Sequence, residues 1–232
     1  MRLVFVTYAN QLYDRALERI KAEAGRFPFD EVCAVREIDL IGSEFWLAHG
    51  AFIQANPRGA GYWIWKPYIV GQMIAKMADG DILLYADAGC TMDVSKLARF
   101  TEYVQMVSTH PSGILAFNMA WNLQRFYTKK MVVNAMDADL DVGQIAATAF
   151  ILRVSEETRA LVAEWLALCN NYSLIDDSPS IAANGSLLSE DPAFREHRHD
   201  QAIWSILLRK KCAALLLEYE LVDGPVKDTR LK

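Results

Sequence analysis

Residues 82–86, Ile-Leu-Leu-Tyr-Ala, form an uninterrupted apolar run set between Asp79-Gly80-Asp81 and Asp87-Ala88-Gly89. A run this short, with no polar alternation, predicts a strand buried on both faces, as at the centre of a mostly parallel sheet. Such a sheet needs helices on both sides, and the chain supplies them. Leu3 to Thr7 reads as a first strand, and Gln11 to Glu23 as a helix carrying Leu12, Ala16, Leu17 and Ile20 at helical spacing. A second strand is expected around Val32 to Ile38, then a helix from about Ser43. After the breaker Asn56-Pro57-Arg58-Gly59-Ala60-Gly61, a further helix has Pro67 in its first turn.

The second half continues the alternation. It predicts a helix near Val94 to Ser108, strands at Gly113 to Phe117 and Ala147 to Leu152, and a helix capped by Ser155 with Glu156 and Glu157 in its first turn. Tyr172 to His197 has little periodicity and reads as a mobile loop or a segment that orders over a ligand. His199-Asp200-Gln201 opens a last helix, Ala213 to Tyr219 reads as a strand, and the tail after Gly224 as loosely held. The expected fold is a three-layer α/β/α, Rossmann-like domain over residues 1–232.

Composition narrows the class. With 53% hydrophobic and 23% charged residues the chain is globular rather than disordered, and at 232 residues it hides roughly 70% of its unfolded surface. A formal charge of −5 argues against a nucleic-acid surface. Lys129-Lys130 and Arg209-Lys210-Lys211 are short basic clusters that read as solvated helix faces or ends. The four cysteines are scattered without a Cys-x-x-Cys pair, so reduced thiols in a cytoplasmic protein are expected, with no transmembrane segment. The Gly-x-Gly-x-x-Gly and P-loop patterns are absent.

In open α/β sheets, ligands sit beyond the carboxyl ends of the strands. Asp87 is placed there to hold Mg²⁺ or Mn²⁺, with Ala88 and Gly89 small enough for a diphosphate to approach the backbone; the same three residues also suit a plain Asx turn. Lys66 is the one cation in the apolar stretch from Tyr62 to Pro67, suited to a phosphate at a helix start, and Trp63 and Trp65 suit a nucleobase or sugar; core packing and a solvated lysine are the plainer alternative. His199 is positioned to complete a metal site with Asp87, and Asp200 to act as a base, although Asp at a helix start is also an ordinary cap.

The strand ending in Asp87-Ala88-Gly89, the Trp63-Ile64-Trp65-Lys66-Pro67 stretch and the late His199-Asp200-Gln201 together resemble the GT-A class of nucleotide-sugar glycosyltransferases, in which that strand ends in Asp-x-Asp. Here glycine stands in place of the second aspartate. Small bacterial and viral transferases that build capsule, lipopolysaccharide or virion glycans are the most similar group. The resemblance implies a metal-assisted transfer from a nucleotide-sugar donor, UDP-sugar favoured, to a glycan or lipid-linked glycan acceptor. It places the base and ribose at Thr7, Tyr8 and Asn10, and sugar contacts at Gln144, Asn118, Trp121 and Asn122. Residues 1–117 would be the nucleotide-binding half and 118–232 the acceptor half. An enzyme of lipid-linked glycan assembly can also touch the cytoplasmic membrane peripherally. A catalytically inactive binding module and a nucleotide-sugar hydrolase are the rival functions.

Overall fold

The computed structural model describes residues 1–231. The strands are β1 Leu3–Ala9, β2 Glu31–Arg36, β3 Ile82–Ala86, β4 Thr91–Met92, β5 Ile114–Leu123, β6 Gly143–Ile145, β7 Ala149–Arg153, β8 Leu215–Leu217 and β9 Val226–Lys227. Seven of them make one sheet in the order β2-β1-β3-β7-β5-β6, with β8 also paired to β5. β1, β2, β3, β5 and β8 share a direction, whereas β7 and β6 run against it. The mostly parallel sheet expected from the apolar run is present, with β3 buried at every residue.

Strand parity builds the three layers. Val4, Val6 and Tyr8 of β1, with Leu83 and Tyr85 of β3, face a core completed by helices Trp65–Ala75, Glu156–Cys169 and His199–Lys211. Leu3, Phe5, Ile82 and Leu84 point the other way, onto helices Asp14–Ala24 and Leu97–Thr109. Ser43 and Ser155 cap their helices as the sequence implies, each side chain accepting a backbone N–H from the first turn.

Four expectations are corrected. The tail after Gly224 is docked: β9 pairs with β4, Val226 is buried, Lys227 forms an ion pair with Asp93, and Leu231 N donates to Gly89 O. Lys129 is not solvated but buried; its Nζ donates to Asp176 O and Oδ1, each at 2.9 Å, and to Ser178 O. The stretch from Tyr172 to His197 is consequently held, with Glu190 accepting from Lys130 N and from the buried Ser180 hydroxyl. β5 also runs past the expected strand end at Phe117 to take in Asn118, Trp121 and Asn122.

Candidate functional site

A cavity of about 590 Å³ lies at the carboxyl ends of β1 and β3. Tyr8, Ala9 and Asn10 reach it from β1, Asp87, Ala88 and Gly89 from β3, and Ala147 and Thr148 from the turn into β7. The starts of helices Trp65–Ala75 and His199–Lys211 converge on the same place, bringing Lys66 and Asp200.

Lys66 Nζ stands 3.1 Å from Asp87 Oδ1, 3.1 Å from Asp200 Oδ2 and 3.1 Å from the carbonyl of Ala147. Burial works against its charge, but Asp200 and Asp87 outweigh it and hold the ammonium above its ordinary pKa. Burial likewise pushes Asp200 up, to about 6, with Asp87 adding repulsion and Lys66 opposing. Asp200 Oδ2 is a buried acceptor paired with the Lys66 ammonium and with no other polar group. Asp87 also accepts from the Tyr85 hydroxyl at 2.5 Å. The cluster thus offers one fixed cation and a carboxylate with spare hydrogen-bonding capacity, in a largely dry setting where each counts for more.

The neighbouring wall is aromatic. Tyr8 and Trp65 lie with ring centroids 3.9 Å apart, and Trp65 Nε1 donates to Gly59 O. That carbonyl belongs to a segment invisible to periodicity. Gly59, Ala60, Gly61, Tyr62 and Trp63 have φ of 58°, 50°, 82°, 56° and 62°, one turn of left-handed helix closed by Tyr62 N donating to Arg58 O and Trp63 N to Gly59 O. Each non-glycine residue in that conformation costs roughly 1–2 kcal/mol. At Gly61 a Cβ would stand 2.8 Å from the Ile53 side chain, so close packing as well as φ requires glycine there.

Other residues singled out from sequence lie elsewhere. Thr7 is fully buried within β1 and does not line the cavity. Gln144 is also fully buried: its amide N donates to Gln124, Thr128 and the Tyr127 carbonyl, while its oxygen accepts from Gln201 at 2.8 Å. It therefore orients Gln201, which does reach the cavity, and makes no direct contact itself. The space over Gly89 is filled by the chain's own tail, Arg230 Cα lying 3.4 Å from where a Cβ would stand. Asp228 and Arg230, part of a tail that reads as a loose end, thereby join the cavity wall. Nothing in their local sequence signals this, because it depends on β9 finding β4.

His199 does not line the cavity. Its Nδ1 bonds to Ile175 O at 2.8 Å, its Nε2 faces Asp177 Oδ1 at 3.7 Å, and its ring packs on Tyr62 and Trp63. Burial first of all lowers its pKa to about 4, so the imidazole is neutral at pH 7. It clamps the left-handed turn to the start of the last helix. Among the described residues no group of three His, Cys, Asp or Glu side chains is arranged to hold a metal ion, and none of the helices is long and apolar enough to cross a membrane.

No family model and no curated protein matches the chain. Among solved structures it is similar to a glycosyltransferase involved in glycosylation of the major capsid of PBCV-1, with 10% identity, TM-score 0.43, and coverage of 74% of this chain and 68% of that one. It is similar also to mouse xyloside xylosyltransferase 1, with 10% identity, TM-score 0.44, and coverage of 94% and 84%. A third is the galactosyltransferase LgtC in complex with donor and acceptor sugar analogues, with 12% identity, TM-score 0.42, and coverage of 88% and 70%. At such identities and TM-scores, function has to come from the side chains of the site itself.

Proposed function

We propose that the chain is a glycosyltransferase that takes a sugar from a nucleoside-diphosphate donor, UDP-sugars first, and transfers it to a hydroxyl of a glycan or lipid-linked glycan. The observation that carries this reading is the buried Lys66 bridging Asp87 and Asp200 at the strand ends, inside a cavity large enough for a nucleotide sugar.

Each part has a task. Tyr8 and Trp65, buried and packed on each other, form an apolar wall against which a base or sugar ring would rest, and the Asn10 Oδ1 beside them is a buried acceptor without a hydrogen-bond partner. Asp200, ionised above about pH 6, has an oxygen available to take the acceptor hydroxyl's proton as that oxygen attacks the sugar. Lys66 keeps Asp200 and Asp87 in place and supplies positive charge near the departing diphosphate. A divalent ion, Mg²⁺ or Mn²⁺, would be held by Asp87 at the end of β3, one or two carboxylates being what Mg²⁺ commonly takes. When bound, that ion would neutralise charge on the leaving group. His199 has no part in this set, being turned into its aromatic packing.

The test is release of nucleoside diphosphate from a panel of UDP- and GDP-sugars with Mn²⁺, with and without glycan acceptors. The expected result is turnover with donors of one nucleotide, raised by an acceptor and reduced by EDTA. A folded protein that neither binds nor turns over any of them would remove the assignment, and turnover that no acceptor redirects would mark a hydrolase.

A further inference from the structure

We infer that Arg58 and Arg198 are the clamp for the donor's diphosphate, and that Glu196 occupies this clamp until the donor displaces it. This rests on the glycosyltransferase reading for the donor's identity, but the clamp itself stands on geometry. Glu196 divides its carboxylate between the two arginines: Oε2 lies 2.8 Å from an Arg58 nitrogen and Oε1 lies 2.9 Å from an Arg198 nitrogen. All three line the cavity that holds Lys66, Asp87 and Asp200. Two guanidinium groups converge on Glu196, with Arg58 also reaching Asp177 Oδ2 at 3.3 Å; such a pair suits phosphate oxygens, because a phosphate offers more charge and more acceptors than a carboxylate.

The backbone supports the same assignment independently. Arg58 immediately precedes the left-handed turn, and its carbonyl accepts from Tyr62 N at 2.8 Å within it. Arg198 immediately precedes His199, whose φ is +50°. Each arginine is thus set by a sparsely populated backbone conformation, and His199 packing on Tyr62 and Trp63 fixes one site of strain against the other. Arg198 lies over the Tyr127 ring, and its Nε is buried without a hydrogen-bond partner, so the guanidinium keeps donor capacity that Glu196 does not use. The Glu196 ion pairs are about 40% exposed on the acid's side and so are weak enough to exchange. An acidic protein of net charge −5 has particular need of such a local cationic patch.

The experiment is calorimetric titration with inorganic pyrophosphate and with UDP, using wild type, Glu196→Gln, Arg198→Gln and the double variant, each checked for an unchanged thermal midpoint. Glu196→Gln is expected to bind pyrophosphate about tenfold more tightly than wild type, a gain absent when Arg198 is Gln. A gain that survives in the double variant is mere loss of a negative charge and overturns the clamp, as does a Glu196→Gln protein that binds no more tightly. If pyrophosphate behaves as expected while no nucleotide sugar is turned over, the clamp holds and the transferase reading falls.

Discussion

Lys66 and Lys129 are both about 2% exposed, yet their surroundings differ in kind. Lys129 spends its ammonium on the carbonyls of Asp176 and Ser178 and on the Asp176 carboxylate, all within one turn of a loop. Lys66 reaches one carbonyl and two carboxylates from different elements, and the Asp200 oxygen it meets has no partner beyond the ammonium itself. A buried charge is thus weak evidence of function by itself; unspent hydrogen-bonding capacity facing a cavity is the better sign. One lysine anchors a loop, and the other joins carboxylates from two elements at the cavity.

The comparison can be broken by substitution. Lys129→Met leaves the Asp176 region without its cation and should lower stability by about 3–5 kcal/mol in denaturant unfolding, with turnover per folded molecule near wild type. Lys66→Met leaves two carboxylates without their cation and should lower stability by a similar amount, but it should also reduce turnover per folded molecule by about 10²–10³-fold, roughly 3–4 kcal/mol of transition-state stabilisation. If the two effects were exchanged, with Lys129→Met folded but inactive, the distinction would be lost. Asp176→Asn tests it more finely: the two carbonyl bonds to Lys129 survive while its counter-charge is lost, so the expected loss, about 1.5–3 kcal/mol in the same unfolding measurement, is smaller than for Lys129→Met.

The sequence makes some of this legible and conceals the rest for definite reasons. The continuous apolar run of β3 announces both its burial and its end at Asp87, because a strand covered on two faces has no polar alternation. Ser43 and Ser155 announce helix starts through local hydrogen bonding. The positions of Lys66 and Asp200, each near a helix start, follow from the same local signals; their meeting does not, since the two lie 134 positions apart in the chain. Lys129 looked like surface because adjacent lysines usually are, and only the loop returning at Asp176 buries it. The left-handed turn has no periodic signature, and Gln144 acts through Gln201 rather than by contact. What sequence misses here is long-range pairing: tail on Gly89, loop on lysine, histidine on turn.

The most direct test of the central claim is the pH dependence of nucleoside-diphosphate release in the presence of acceptor, for wild type and Asp200→Asn. Asp200 accepts a proton only when ionised, and burial places its pKa at about 6. The wild-type rate should therefore climb about tenfold per unit below pH 6 and level off above it, whereas Asp200→Asn should be slower by about 10²–10⁴-fold and lack that limb. A wild-type profile flat through pH 6, or an Asp200→Asn protein as fast as wild type, would contradict the assignment of Asp200 as the base.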